Sequence, residues 1–231
     1  MPDLKEIYRS GVQRYQALVA REDYEGNLLP AILAVDSLAG KHVIELGAGT
    51  GRISRLIASI AGRLVAADIS HHMLSLAKQR LGELHRSNWH LSLGSHRALP
   101  FTSDMADVIL AGWSFCYAAL DAGENWRPAL GEALEEARRV LRTSGKLILI
   151  ESLGTGFETP HTPEVLIKYL AYLDAHGFDS VWIRTDYRFA DQVEAKDLTS
   201  FFFGDGPLPM WETERGVIVP ECTGIWWKTF E

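Results

Sequence analysis

Three glycines, Gly47, Gly49 and Gly51, occur at every second residue after a short apolar run in the stretch VIELGAGTGRIS at 43–54. Glycine accepts backbone angles with positive φ and lets a ligand approach the main chain closely. A buried strand, a glycine-rich turn and the start of a helix together favour a site for a nucleotide-like ligand. Asp68 ends the next apolar run, LVAAD, where a second parallel strand would end. A carboxylate there can accept hydrogen bonds from both hydroxyls of a ribose.

The glycine spacing disfavours two common nucleotide-binding motifs. The nicotinamide and flavin fingerprint G-x-G-x-x-G needs its third glycine at position 52, which is Arg52 here, and the phosphate-binding G-x-x-x-x-G-K-[ST] is absent. The stretch E-L-G-A-G-T-G, which starts at Glu45 and is followed by Asp68, resembles the first two motifs of the class I S-adenosylmethionine-dependent methyltransferases.

That resemblance implies S-adenosyl-L-methionine as the cofactor. In this family the glycine loop passes under the methionine end of the cofactor, and the acidic residue binds the ribose. Glu45 would either stabilise the loop or bind the cofactor's ammonium group. Ile69 and Met73 would contact adenine, although Met73 is equally consistent with a core position. The implied contacts from this part of the chain are Glu45, Gly47, Ala48, Gly49, Gly51, Asp68, Ile69 and Met73.

Two further stretches extend the resemblance over about residues 40–152. SLGSHRALPF at 92–101 is similar to the family's third-strand motif, but Ser95, followed by His96, replaces the aspartate that usually lies near the adenine amino group. Ser95 and His96 are the implied cofactor contacts here, and a hydrogen bond from Ser95 to adenine stays open. DVILAGWSFCY at 107–117 matches the fourth strand and the loop where the substrate meets the methyl group. This match implies cofactor contacts from Ala111, Gly112 and Trp113.

Short apolar runs alternate with helical patterns along the chain, which predicts a doubly wound α/β fold. The family resemblance implies a three-layer Rossmann-like sandwich with a seven-stranded, mostly parallel sheet and an antiparallel last strand. Ser70 is the expected N-cap of the helix after Asp68. The predicted strands are 42–46, 63–67, 89–93, 106–111, 146–151, 180–189 and 217–230, and further predicted helices are 128–142, 163–176 and 194–203.

Composition and charge limit the class of protein. With 231 residues, 47% of them apolar and 23% charged, the chain suits one globular domain. A net charge of −7 argues against a nucleic-acid partner, which needs clustered basic residues. Two distant cysteines, Cys116 and Cys222, indicate neither a disulfide framework nor a metal cluster, and no third ligand accompanies His71 and His72. The cysteine usage suggests a reduced cytoplasm, and the lack of a ligand cluster suggests that no metal is bound. No apolar run suits a leader or a membrane span.

The acceptor side of the site is less clearly marked. Methyl transfer is an in-line displacement in which alignment and exclusion of water contribute most, so no catalytic triad is required. Trp113, Phe115 and Tyr117 could line an aromatic pocket or simply pack between sheet and helix. The candidate proton acceptors are weakly indicated, and no catalytic residue is assigned. They are His161, Glu158, Glu151 and Tyr117.

The chain ends suggest a cover over the cleft. We divide the single domain into an N-terminal helical lid at 1–38, a cofactor-binding core at 40–152, and a substrate-side insertion with closing strands at 153–231. The lid carries three tyrosines, of which Tyr24 is chosen as a contact to the methionine carboxylate. SFFFGDGPLPMW at 200–211 must pack on the lid, line an apolar substrate pocket or contact a second copy in a homodimer. The other two tyrosines are Tyr8 and Tyr15.

The expected function is transfer of a methyl group to a small-molecule acceptor, first a modestly apolar one and next a cationic amine. The alternative is a non-catalytic sensor or partner subunit that binds the cofactor, which a tight site without an acceptor pocket would favour. Aminopropyl transfer ranks lower because AGWSFCY supplies no acidic residue after the fourth strand. Arg52 disfavours a nicotinamide oxidoreductase.

Overall fold

The computed structural model describes Ile7 and residues 10–231. Tyr8 lies outside the described residues. The helices are α1 (Val12–Val19), α2 (Leu28–Val35), α3 (Arg52–Ile57), α4 (His71–Gly82), α5 (Tyr117–Leu120), α6 (Trp126–Val140), α7 (Glu164–Ala175) and α8 (Gln192–Phe203). The strands are β1 (His42–Leu46), β2 (Arg63–Asp68), β3 (Trp89–Leu93), β4 (Ala106–Gly112), β5 (Leu141–Thr155), β6 (Asp179–Arg184), β7 (Tyr187–Phe189), β8 (Trp211–Thr213), β9 (Gly216–Val219) and β10 (Glu221–Thr229).

Seven strands form one sheet in the order β3-β2-β1-β4-β5-β10-β6. Strands β1 to β5 pair in parallel, whereas β10 is antiparallel to both β5 and β6. The predicted fold class is therefore confirmed. The strand order reverses between β1 and β4, and in such sheets the ligand binds outside the carboxyl ends of the strands at this switch point.

The core lies on both faces of this sheet, because the parallel strands are apolar at nearly every position. One face packs under α6 and α7, and the other packs under α2 and α3. At the start of α4, Ser70 Oγ accepts a hydrogen bond from the Met73 amide at 3.3 Å, as the sequence predicts. Polar groups at the carboxyl ends of β1, β2 and β4 are therefore held by a rigid scaffold.

The predicted strand at 180–189 is wrong as a single strand. The chain leaves the main sheet after Arg184, whose guanidinium forms two 2.7 Å contacts with the Asp186 carboxylate. The Glu221 amide also donates to Asp186, at 3.0 Å. This turn of the chain directs Tyr187–Phe189 into a second sheet of order β7-β9-β8.

The predicted strand at 217–230 is likewise two strands. Pro220 separates β9 from β10, because proline has no amide hydrogen for a strand ladder. The predicted strand at 146–151 is shorter than the observed β5. This strand begins at Leu141, immediately after α6, and ends at Thr155. Ser144 has a positive φ of 62°, so the backbone is irregular near the start of β5. This irregular stretch lies just after residue 142, where the sequence predicts the end of the helix.

The second sheet and α8 form a small cap with its own apolar cluster. Tyr187, Phe189 and Val217 from the strands pack with Leu198 of α8 and Leu18 of α1. Phe202 and Phe203, from the run at 200–211, also pack against this cluster. The N-terminal helix and the C-terminal third of the chain therefore meet in one layer.

Candidate functional site

The glycine loop follows β1 and turns sharply at the switch point. Gly47, Gly49 and Gly51 all have positive φ, at 68°, 54° and 77°. A Cβ on Gly47 would lie 2.2 Å from the Cβ of Ser114, so this position has room for glycine alone. Ser114 Oγ donates to the Leu46 carbonyl at 2.9 Å, which fixes the loop after β4 against the loop after β1.

Asp68 ends β2 beside this loop and is oriented by backbone amides. Its Oδ2 accepts from the Gly49 amide at 2.8 Å, and its Oδ1 accepts from the Ser70 amide at 2.7 Å. Burial raises the pKa of Asp68, while these two hydrogen bonds oppose that rise. Each carboxylate oxygen retains a lone pair, so the group can still accept hydrogen bonds from a ribose.

The adenine side of the predicted site has an exposed apolar residue and an unpartnered ring nitrogen. Ile69 is 77% exposed, although isoleucine is usually buried. Met73 is instead on the buried face of α4. His96 Nε2 is buried without a hydrogen-bond partner, and burial lowers the pKa of this ring to about 4. Ser95 Oγ accepts from the Arg97 amide at 3.4 Å within its own turn. An adenine ring packed on Ile69 would cover this exposed apolar side chain, so Ile69 fits the predicted cofactor.

A cavity of about 580 Å³, called here the edge cavity, opens from the glycine loop across the carboxyl edge of the sheet. Its cofactor side includes Glu45, Gly47, Ala48, Gly112 and Trp113, all of which the sequence predicts as contacts. The remaining lining residues include Tyr15, Leu18, Val19, Glu22, Thr50, Arg52, Ile53, Cys116, Tyr117, Leu120, Asp121, Glu151, Ser152, Thr155, Pro163, Val165, Leu166, Tyr187, Phe202, Phe203 and Glu221. Ala111 is fully buried in the core and does not line it.

Glu45 is completely buried at the end of β1. Burial raises the pKa of its carboxyl to about 8, and the Ser54 hydroxyl of α3 donates to it. This hydrogen bond connects the strand before the glycine loop with the helix after it. The contact supports a role of Glu45 in stabilising the loop. Glu45 also lines the edge cavity, where its carboxyl could bind the ammonium group of the cofactor.

Arg52 contacts two residues, Glu22 and Trp113, and the sequence analysis did not predict these contacts. Its guanidinium pairs with Glu22 and lies 3.9 Å from the centroid of the Trp113 ring. Tyr187 of the second sheet donates to the same Glu22 carboxylate at 3.1 Å. We call Arg52, Glu22 and Tyr187 the arginine tie. It joins α3, the N-terminal segment and the cap, and its only sequence signal is an arginine where the nicotinamide fingerprint needs glycine.

The candidate proton acceptors separate into two groups. Glu151 lines the edge cavity, where its Oε1 accepts from the Cys116 amide and the Tyr169 hydroxyl, both at 3.1 Å. Burial raises the pKa of Glu151 to about 7. Tyr117 also lines the edge cavity. Glu158 and His161 are exposed outside it, and the His161 ring stacks on Phe157 at 4.1 Å between centroids.

Tyr24, predicted as a contact to the methionine carboxylate, does not line the edge cavity. Its hydroxyl donates to Glu25 at 3.2 Å, and the Arg188 guanidinium lies over its ring at 5.0 Å. Tyr15 of α1 lines the edge cavity instead. The lid tyrosine that reaches the edge cavity therefore lies nine residues before the one that the sequence suggested.

Glu221, at the start of β10, is the second residue that sequence reasoning missed. It lines the edge cavity, is 2% exposed, and accepts a hydrogen bond from Ser152 Oγ at 2.6 Å. Burial raises the pKa of its carboxyl to about 8. A single acidic residue inside the apolar run GVIVPECTGIWW was a usable signal, because buried carboxylates are rare unless they are paired or functional.

Two negative findings apply to the part of the chain that is described. In Ile7 and residues 10–231, no group of three or more histidine, cysteine or acidic side chains could hold a metal ion. No helix in the same residues has the length and apolarity needed to cross a membrane.

Comparisons with known proteins agree with this geometry. The profile of the methyltransferase domain family matches residues 44–149. The demethylmenaquinone methyltransferase of Clavibacter sepedonicus is 30% identical over 142 residues, which are 62% of this chain and 51% of that protein. That of Thermobifida fusca is 27% identical over 64% of this chain and 61% of its own length. The chain thus spans about half the length of the first curated relatives that it matches.

Solved structures show the same fold at low identity. An S-adenosylmethionine-dependent methyltransferase from Aquifex aeolicus superposes with a TM-score of 0.54 at 16% identity, covering 86% of this chain and 88% of that one. Phosphoethanolamine N-methyltransferase 2 of Haemonchus contortus, in complex with S-adenosyl-L-methionine, gives 0.55 at 14% identity, covering 89% and 53%. Residues 44–149, which contain the glycine loop and Asp68, thus match the methyltransferase domain family that these motifs indicate.

Proposed function

We propose that this chain transfers a methyl group from S-adenosyl-L-methionine to a small-molecule acceptor held in the edge cavity. The observation that carries the proposal is the continuity of this cavity from Gly47 and Trp113 on the cofactor side to Glu151 and Glu221 on the opposite side. The non-catalytic alternative needs a site closed to an acceptor. A volume of about 580 Å³ argues against it.

The residues present fit the cofactor. Asp68 is positioned by two amides to accept from the ribose, and the open space at Gly49, where nothing lies within 4 Å of an added Cβ, leaves room beside the glycine loop for the methionine end. The bound cofactor supplies an activated methyl group with its own leaving group. The chain's part is to align the acceptor with that methyl and to exclude water, for which the apolar wall of Leu18, Phe202 and Phe203 is suited.

Several finer statements are part of the proposal. We place the protein in the cytoplasm without a nucleic-acid partner, in agreement with its net charge of −7 and its free cysteines. The division into lid, core and substrate-side segment fits the arginine tie, which joins all three. A homodimer contact stays a prediction, although Phe202 and Phe203 already have partners inside the chain.

Binding and turnover test this proposal in sequence. Calorimetric titration with S-adenosyl-L-methionine should show micromolar affinity that Asp68→Ala abolishes, and NADH should not bind. Methyl-labelled cofactor is then incubated with a panel of phenols, amines and demethylmenaquinone, the last because relatives carry that name. Labelled product from at least one acceptor is expected. Cofactor binding with no transfer to any of them would favour the sensor, and NADH binding alone would contradict the family assignment of the site.

A further inference from the structure

Among the described residues that line the edge cavity, one buried carboxylate oxygen lacks a hydrogen-bond donor. Glu221 Oε2 is buried and has no hydrogen-bond partner among the described residues. The Thr155 hydroxyl is near enough to lower the pKa of this carboxyl, but it is not in hydrogen-bonding geometry with Oε2. A buried acceptor without a donor is energetically unfavourable, so Glu221 Oε2 is a candidate acceptor for a donor that a ligand in the cavity would supply.

The charges around Glu221 point to the kind of donor. Glu22 lies close enough to raise the pKa of Glu221, and Glu22 is itself occupied by Arg52 and by the Tyr187 hydroxyl. Among the described residues, Arg52 is the only arginine or lysine that lines the edge cavity, and the tie to Glu22 neutralises it. The acidic side chains of the cavity outnumber its cations, and a positively charged ligand beside Glu221 would stabilise the ionised form of this carboxyl.

The walls indicate what surrounds the charge. Aromatic rings of Tyr15, Tyr187, Phe202 and Phe203 line the same cavity, together with Trp113. Aromatic faces attract cations and also pack against apolar rings. A ligand with an ammonium group on a short apolar or aromatic body would satisfy the unused oxygen and fill the remaining volume.

We propose that the methyl acceptor is an aromatic or apolar amine whose ammonium group is bound by Glu221. This inference rests on the proposed methyl transfer. Burial disfavours charge on both partners, so the amine's proton can pass to the carboxylate. The freed nitrogen lone pair then forms the new nitrogen–carbon bond as the carbon–sulfur bond breaks, the sulfonium becomes a thioether, and the proton on Glu221 leaves to solvent.

Matched ligands test the binding claim directly. Calorimetry on the full chain saturated with S-adenosylhomocysteine compares 2-phenylethylamine with 2-phenylethanol, which has a similar shape and no charge. The wild-type protein should bind the amine at least tenfold more tightly. Glu221→Gln should remove this preference without changing its affinity for S-adenosylhomocysteine by more than about twofold.

Glu151→Gln is the discriminating control, since Glu151 is also a buried carboxyl of the edge cavity but already accepts from Cys116 and Tyr169. It should retain the preference for the amine. Equal affinity for amine and alcohol in the wild type, or a preference that survives Glu221→Gln, would overturn the inference, and so would its loss in Glu151→Gln alone. Failure to bind S-adenosylhomocysteine would instead overturn the proposed function.

Discussion

The two sides of the edge cavity are built in different ways. The cofactor side comes from one region of the chain: Gly47 and Gly112 line the cavity from neighbouring strands, and Asp68 lies beside them at the end of β2. The acceptor side assembles residues such as Glu22, Tyr187 and Glu221 from the two ends of the chain. Cofactor binding can thus depend on a local motif, whereas selectivity for the acceptor depends on contacts between segments that are distant in the chain.

The largest effect should follow Gly47→Ala, which tests whether the two sides are independent. The added Cβ would lie 2.2 Å from Ser114 Cβ, and φ there is positive, so the loops after β1 and β4 must separate. We expect at least a hundredfold loss of S-adenosylhomocysteine affinity, measured by calorimetry, with a lower melting temperature.

Gly49→Ala is the matched control for that change. Its φ is also positive, but nothing lies within 4 Å of the added Cβ. Only the backbone strain of about 1–2 kcal/mol should remain. Equal losses in the two variants would show that the packing of Gly47 on Ser114 is unimportant.

Arg52→Met should have the next largest effect, on the stability of the cover. It leaves Glu22 buried without its cation, and breaking a buried ion pair from one side costs about 3–5 kcal/mol. Urea denaturation measures the free energy of unfolding. Arg14→Met, which removes the exposed pair with Asp197, should cost less than about 1 kcal/mol. A similar small loss for Arg52→Met would mean that the arginine tie contributes nothing to holding the segments together.

Asp68→Asn should weaken the cofactor side alone. The amide keeps one acceptor oxygen but loses the charge, and a hydrogen bond to a charged group contributes about 1.5–3 kcal/mol. Calorimetry should therefore show roughly 10- to 100-fold weaker binding of S-adenosylhomocysteine. Asp107→Asn, at the opposite edge of the sheet where Asp107 accepts from the His42 amide, should leave the affinity unchanged. An equal loss in both would indicate a general effect on the sheet.

The smallest effect concerns the pH dependence of stability on the acceptor side. Glu221 has a folded-state pKa of about 8, above its unfolded value, so the folded state binds more protons between about pH 4.5 and 8. Its stabilising contribution is present below that range and is lost as the pH rises through it. The slope is at most about 1.4 kcal/mol per pH unit.

Glu221→Gln should flatten this part of the curve of unfolding free energy against pH. The groups that face Glu221 include Glu22 with its partners Arg52 and Tyr187. The Ser152 and Thr155 hydroxyls are also close, and Asp186 accepts from the Glu221 amide. These groups remain in the variant. An unchanged slope would assign the titration to another buried carboxyl, such as Glu45 or Glu151.

The same contrast explains what the sequence could predict. The strand ends, the Ser70 cap and the positions of Gly47 and Asp68 depend on residues within one strand–loop–helix unit, so periodicity and glycine spacing suffice. Tyr24 was preferred over Tyr15 because no local pattern shows which lid residue the cap will cover. Glu221 was missed because its environment is set by Glu22 and Ser152, which are far away in the chain.

The close approach of Gly47 to Ser114 also has an evolutionary consequence. Since Ser114 Oγ is bound to the Leu46 carbonyl and its Cβ fills the space above Gly47, neither position can change freely without the other. Homologous sequences that carry a larger residue at one position should lack the 2.9 Å contact and show compensating changes in the loop after β4. Positions 47 and 114 are therefore expected to co-vary in an alignment of homologous sequences. The glycine motif that includes Gly47 gives no sign of this dependence, because Ser114 lies outside it.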